Sequence, residues 1–335
     1  MRWPLPSSSP CCCYVPRGCS AVPRSRRCEW PWGSPEVIDP TLLVQMVLGA
    51  LLGLSVYLPL SGGQLSLATP GFYAIGGYMA ALLSTGWPAL GGAAPLYPLP
   101  SLLLELGLAG ALAAAVALAI GGPVLKLRGI YLAIATISLV EILRVLNLNL
   151  PFTGGAVGIF AIPQPFSDPA GYLGAALLLL LLVGLLCQRL EGMRFGRAQA
   201  AIRDDELAAS CMGIDTARVK LTAFVISAVI AALTGVLSAH FLNTWNARQG
   251  SFDASITTLA FVVFGGSRSW LGPIAGGLAL TAVPELLRPI GDLRLIVYGL
   301  VIVVGPVFFP QGLITPELLK GLARWWPWRQ REAAP

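Results

Sequence analysis

The sequence predicts an all-α fold, a polytopic membrane helix bundle of about eight to nine transmembrane or re-entrant segments. Three observations carry that expectation. Charged residues make up 11% of the 335-residue chain and mean hydropathy is +0.74, whereas soluble domains carry roughly 25% charged residues. Long apolar segments recur from residue 41 to residue 309. A single long polar stretch, 189–220, interrupts them.

In order, the apolar segments are Thr41–Leu60, Ser66–Leu83, Ser101–Gly121, Ile130–Leu146, Gly171–Cys187, Val219–Phe241, Ser255–Gly265, Leu271–Leu287 and Leu293–Phe309. Most approach the roughly 20 residues that a helix needs to cross a bilayer. Ser255–Gly265 is too short to cross alone, which predicts a half-helix or re-entrant element buried among its neighbours. Their wealth of Gly, Ala and Ser permits close backbone approach between helices.

The polar stretch 189–220 holds Arg189, Arg194, Arg197, Arg203, Arg218 and Lys220 beside Glu191, Asp204, Asp205, Glu206 and Asp215. So many charges cannot remain in hydrocarbon, and the Lys/Arg content places the stretch on the cytoplasmic side. Ala198, Ala201, Ile202, Ala208, Ala209 and Met212 recur near one face of a 3.6-residue period, with Arg197, Arg203, Asp204 and Glu206 off it. Gly196 is expected to end the preceding element and Gly213 to cap the following one. The stretch therefore reads as a short amphipathic helix under the membrane, either a docking element for a cytosolic partner or a solvated connector.

With 189–220 inside, the connections 84–100 and 147–170 fall outside and carry no Lys or Arg. The connection 121–129, with Lys126 and Arg128, falls inside. A cytoplasmic C-terminal tail, 311–335, follows with Lys320, Arg324, Arg329 and Arg331. If all nine segments cross, the arginine-bearing N-terminus lies outside, against the positive-inside rule. Residues 1–35 contain five of the seven cysteines, several prolines and five arginines, and are expected to be disordered. Outside them, 17 basic residues face 15 acidic ones, so the charge balance calls for no nucleic-acid partner.

No GxxxxGK[ST] phosphate loop, no HExxH and no cysteine cluster of zinc spacing occurs. No nucleophile–base arrangement stands out, so no catalytic, metal or cofactor site is expected. His240, alone of its kind, reads as a satisfied or interfacial side chain. Ionisable residues within apolar segments cost about 2.5–3.5 kcal/mol each at a helix centre. Glu105, Glu141 with Arg144, and Glu285 with Arg288 are such residues, the last two being i,i+3 pairs able to neutralise one another. Each is either a polar site lining a path or an ion pair that sets helix depth. A second reading of Glu105 or Glu141 is a proton relay in an ion-coupled transporter.

Gly62-Gly63, Ser66 and Pro70 recur at the spacing of Gly265-Gly266, Ser269 and Pro273, each followed by a second pair, Gly76-Gly77 or Gly276-Gly277. Internal duplication of this kind is common in transporters, whose sites sit between repeats near broken helices.

Several motifs in one order carry a family resemblance: GGQLSLATPGFYAIGGYMAALL (Gly62–Leu83), RGIYLAIATISLVEILRVL (Arg128–Leu146), GRAQAAIRDDELAASCMGID (Gly196–Asp215), KLTAFVISAVIAALTGVLSA (Lys220–Ala239), SITTLAFVVFGGSRSWLGPIAGG (Ser255–Gly277), PELLR (Pro284–Arg288) and PQGLI (Pro310–Ile314). Over residues 41–315 the chain resembles the inner-membrane permease subunits of branched-chain amino-acid ABC importers, the Liv type. It departs from the family pattern at Ala68-Thr69-Pro70-Gly71 and at Val157 in the run Thr153–Ile159, and a first helix of many relatives is not evident.

The resemblance implies a multi-pass inner-membrane subunit, without enzymatic activity or cofactor of its own. It implies, as partners beside membrane lipid, a second homologous permease subunit, two cytosolic ATPase subunits and an extracytoplasmic substrate-binding protein. It assigns ATPase coupling to Gly196, Arg197, Ile202, Arg203, Asp204, Asp205 and Glu206. Candidates for the translocation path are Glu141, the turn Thr153, Gly154 and Gly155, and Gly76 with Gly77. Branched-chain or other hydrophobic amino acids are the implied cargo, with urea or short amides as the rival.

Overall fold

Eleven α-helices occur among the described residues of the computed structural model, which are 39–86, 99–127, 129–288, 291, 293–308 and 312–313. The expectations for residues 1–35, for Arg128 and for all but two residues of the C-terminal tail lie outside that set.

The helices are α1 Pro40–Ser61, α2 Thr69–Gly86, α3 Leu99–Val124, α4 Ile130–Asn149, α5 Pro169–Gly192, α6 Arg194–Asp204, α7 Glu206–Cys211, α8 Thr216–Leu242, α9 Phe252–Gly265, α10 Leu271–Leu286 and α11 Leu293–Phe308. α1, α3, α4, α5 and α8 are long and apolar enough to cross a membrane. α9, with 14 residues, is as short as its apolar run implied. One two-residue antiparallel pairing, β1 Ile159–Phe160 with β2 Thr244–Trp245, joins the chain between α4 and α5 to the chain just after α8.

α1 and α8 form the centre, each 67% buried over its apolar window against 28% for α3, α4 and α5. The reason lies in residue size. α8 reads Ala228, Ala231, Ala232, Gly235, Ser238 and Ala239 where it is buried, and small residues let neighbouring backbones close on it. α2 comes so near that a Cβ on Gly76 would meet the Ala232 carbonyl. Tyr73 Oη then donates to Ser238 Oγ at 2.6 Å. α10 packs on α1 in the same manner, a Cβ on Gly277 meeting the Ala50 backbone. The outer helices turn Leu103, Ile134, Leu178 and Leu300 outward, which suits a hydrocarbon or protein surround.

Contacts fix the direction of travel. Gly62 and Gly63, after α1, touch Gln199 and Arg203 of α6; Gly121 of α3 meets Leu221 and Phe224 early in α8. α1 therefore starts at the end of the bundle opposite α6–α7, as it must if all nine apolar segments traverse.

Two local expectations are corrected. Gly196 does not end a helix; it lies in the first turn of α6, where a Cβ would meet the Leu190–Glu191 backbone. The stretch is also two helices rather than one. Asp205 adopts an extended conformation and its Oδ1 accepts from Leu207 N at 2.8 Å and Ala208 N at 3.1 Å, so an N-cap breaks the run. Gly213 does close α7, with φ +83 and its N–H donating to Ser210 O.

Gly76→Ala will push α2 off α8 and lower the apparent Tm of the purified protein, overpacking costing about 1–3 kcal/mol. Gly107→Ala, with nothing within 4 Å of the new Cβ, will leave it unchanged or raise it.

Candidate functional site

Two partly buried chain segments interrupt the α-helices, and they converge on α4. The first, residues 62–68, turns back from the end of α1. Leu67 N donates to the buried Thr136 Oγ1 at 3.1 Å, and a Cβ on Gly71 would lie 3.0 Å from Leu143. α2 thus begins beside the middle of α4.

The second segment, 243–251, turns in from the opposite end. Asn243 takes the left-handed conformation, φ 58, that ends α8. The buried Trp245 lies against Gly77, and its Nε1 donates to Ala74 O at 3.3 Å. A 3-10 turn, Ala247–Gly250, brings Gly250 to Ala74 and Pro70. α9 then starts at Phe252, whose N–H donates to Glu141 Oε1 at 3.3 Å. Two helix N-termini, of α2 and α9, hence abut the same stretch of α4.

Glu141 accordingly sits at the positive end of the α9 dipole, where a carboxylate is favoured. Arg144 Nε lies 3.2 Å from Glu141 Oε2, the two side chains 37% and 38% exposed. An ion pair past the midpoint of an apolar helix, half open to one side, provides a positive and a negative group at one place in the span. By contrast Glu285 and Arg288, 2.8 Å apart at the end of α10, form an exposed surface pair.

The other path candidates are placed elsewhere. Thr153 is buried and its hydroxyl donates to Asn147 O and Leu150 O, closing the end of α4 more than two turns beyond Glu141. Gly154 and Gly155 supply the positive φ of that turn, 72 and 58. Gly76 and Gly77 are buried against α8 and Trp245, and so pack helices rather than border open room.

Glu105 has no exposure at all. Its Oε2 lies 2.6 Å from His240 Nε2, and His240 Nδ1 lies 2.7 Å from Pro163 O. A carbonyl only accepts, so Nδ1 carries a proton; a second proton must then occupy the Nε2–carboxylate contact. The pair joins α3 to α8 and to the segment before α5, enclosed rather than open as a proton relay requires.

On α6 and α7 the candidate coupling residues divide. Arg197, Arg203 and Asp204 are exposed, with Arg203 Nε 3.8 Å from Asp204. Ile202 is buried in this chain and is no outward anchor. Asp205 is the α7 cap, and Glu206 Oε1 pairs with Lys220 Nζ at 2.8 Å, tying α7 to α8. The exposed apolar side chains are Met193, Leu207 and Met212, at 53%, 64% and 83%. Sequence periodicity missed Leu207 because it presumes one unbroken helix.

A family model described as branched-chain amino acid transport system / permease component matches residues 40–305. The chain belongs to this family. The permease is 36% identical to the high-affinity branched-chain amino acid transport system permease protein LivM of Salmonella typhimurium and of Escherichia coli, over 85% of this chain and 72% of each relative. It is also 41% identical over 87 residues, 26% of this chain and 28% of the relative, to the permease protein LivH of Escherichia coli. No solved structure matches it. Its many apolar helices and this kinship make it a multi-pass membrane protein.

Glu105→Leu alone will take the carboxyl group away from the buried His240 Nε2, at a cost of about 1–3 kcal/mol. The double variant Glu105→Leu/His240→Phe will lose less stability than the two single variants summed. Thermal unfolding of the three purified variants checks the non-additivity.

Proposed function

We propose that this chain is the membrane-spanning permease subunit of an ATP-driven ABC importer that moves branched-chain amino acids, or other hydrophobic amino acids, into the cytoplasm across the inner membrane. The observation that carries the reading is the 36% identity to LivM proteins over 85% of the chain. In this reading a second homologous permease completes the transmembrane path, and the limited likeness to LivH supports a partner of that kind. Two cytosolic ATPases supply the energy, and an extracytoplasmic binding protein delivers the cargo.

The residues fit the division of labour. α6 and α7 present Leu207, Met212 and Met193 as apolar anchors and Arg197, Arg203 and Asp204 as a charged rim, the composition of a docking surface. Nucleotide binding that favours one arrangement of the ATPases shifts the bundle by a differential interaction energy. Glu141 and Arg144, beside the α9 N-terminus, offer an ammonium and a carboxylate their counter-charges on the path.

Co-expressed with its ATPases and second permease and reconstituted with the binding protein, the complex will take up leucine, isoleucine or valine in an ATP-dependent manner. Uptake of urea or a short amide alone moves the reading to that substrate class, and uptake by the isolated chain under a pH gradient overturns it. Leu207→Asp/Met212→Asp will cut ATPase co-purification roughly tenfold or more, since hot-spot truncations cost at least about 2 kcal/mol. The variant will still insert into the membrane.

A further inference from the structure

At the α6–α7 end of the bundle two side chains, one at the end of α5 and one on α6, hydrogen-bond to the turns that carry the interrupted helices. Glu191, the penultimate residue of α5, accepts on Oε1 from the Tyr57 hydroxyl near the end of α1 and from Trp270 N at 3.1 Å. Trp270 immediately precedes α10, in the turn that follows α9. One carboxylate oxygen thereby ties α5, α1 and the α9–α10 turn together.

Gln199, buried on the inner face of α6, makes the second connection. Its Nε2 donates to Leu58 O at 3.1 Å and its Oε1 accepts from Ser61 Oγ at 3.3 Å. Leu58 O, which also accepts from the Ser61 hydroxyl at 2.8 Å, thus takes a donor from α6 on its second lone pair, where the chain turns toward α2. Gly63, with φ +73, lets that turn lie directly on α6, where a Cβ would stand 3.1 Å from Arg203 Cα. The two turns reached in this way are the ones that share the Gly-Gly, Ser, Pro spacing, Gly62–Pro70 and Gly265–Pro273.

We propose that Glu191 and Gln199 form a two-point latch that delivers movement of α6–α7 to the α1–α2 and α9–α10 turns, and so to the helix N-termini that meet at Glu141. The latch rests on the reading that an ATPase grips α6–α7. Both are positioning residues: neither touches cargo or nucleotide. Each holds a turn by hydrogen bonds whose loss frees the turn without removing Arg197 and Asp204, on the far face of α6 from Gln199, or Leu207 and Met212.

The test uses the assembled transporter in proteoliposomes, with ATPase co-purification, ATP hydrolysis and leucine uptake measured on one preparation. Glu191→Ala and Gln199→Ala will keep the ATPases bound and hydrolysing, while leucine moved per ATP falls about tenfold, within the usual span of site-to-site coupling. Glu191→Gln keeps an acceptor oxygen for Tyr57 and Trp270 and will restore most of that ratio. Tyr57→Phe, which removes one donor and nothing else, will lower it partially. An unchanged leucine-to-ATP ratio in the alanine variants overturns the latch and leaves the importer reading standing. Loss of ATPase binding in those variants also overturns it, since these residues would then belong to docking. Failure of the unsubstituted chain to bind ATPase sinks the importer reading and the latch with it.

Discussion

Backbone polar groups inside a membrane-spanning bundle must find partners within the protein, each unsatisfied one costing several kcal/mol in hydrocarbon. The fold is shaped by how it meets that demand along two non-helical segments, 62–68 and 243–251. Thr136 takes the Leu67 amide, Glu141 takes the Phe252 amide, and the Ile159–Phe160 strand pairs with Thr244–Trp245. α4 is therefore more than a span: it provides side-chain acceptors for both interruptions. Small residues make the arrangement possible, because Gly76, Gly235 and Gly277 let α2, α8, α1 and α10 close without intervening side chains.

Charge is distributed by the same logic. The enclosed Glu105–His240 contact joins helices deep in the bundle, where its full enclosure suits a fixed role. Glu141–Arg144 stands half open at the meeting of two helix ends. Glu191 lies near the α6–α7 end, holding the helices that lead to those segments. Enclosed and half-open charges are thus separated along the bundle.

Much of the fold is legible from hydropathy. All nine apolar runs become helices, and the short run Ser255–Gly265 becomes a helix of only 14 residues, because the length of an apolar run is a local property. What escapes the sequence is pairing over distance. Glu141 meets Phe252 across 111 positions, and Glu105 meets His240 across 135; nothing in either local pattern names the partner. Gly196 and Asp205 illustrate a second loss. A glycine that reads as a helix stop is a close-packing position, and the break at Asp205, whose carboxylate caps α7, is invisible to a helical period. The repeated Gly-Gly, Ser, Pro spacing does mark the two turns on which the interrupted helices depend, though not what holds them.

The central claim is that the α2 and α9 N-termini and Glu141 border a water-filled path in the assembled transporter, although Glu141 lies past the midpoint of an apolar helix. A Glu141→Cys substitution in an otherwise cysteine-free chain, probed with a membrane-impermeant charged thiol reagent, tests it most directly. Reaction that depends on the nucleotide state of the ATPases and slows with saturating cargo is the predicted result. A thiol that remains unreactive in every nucleotide state would contradict the account.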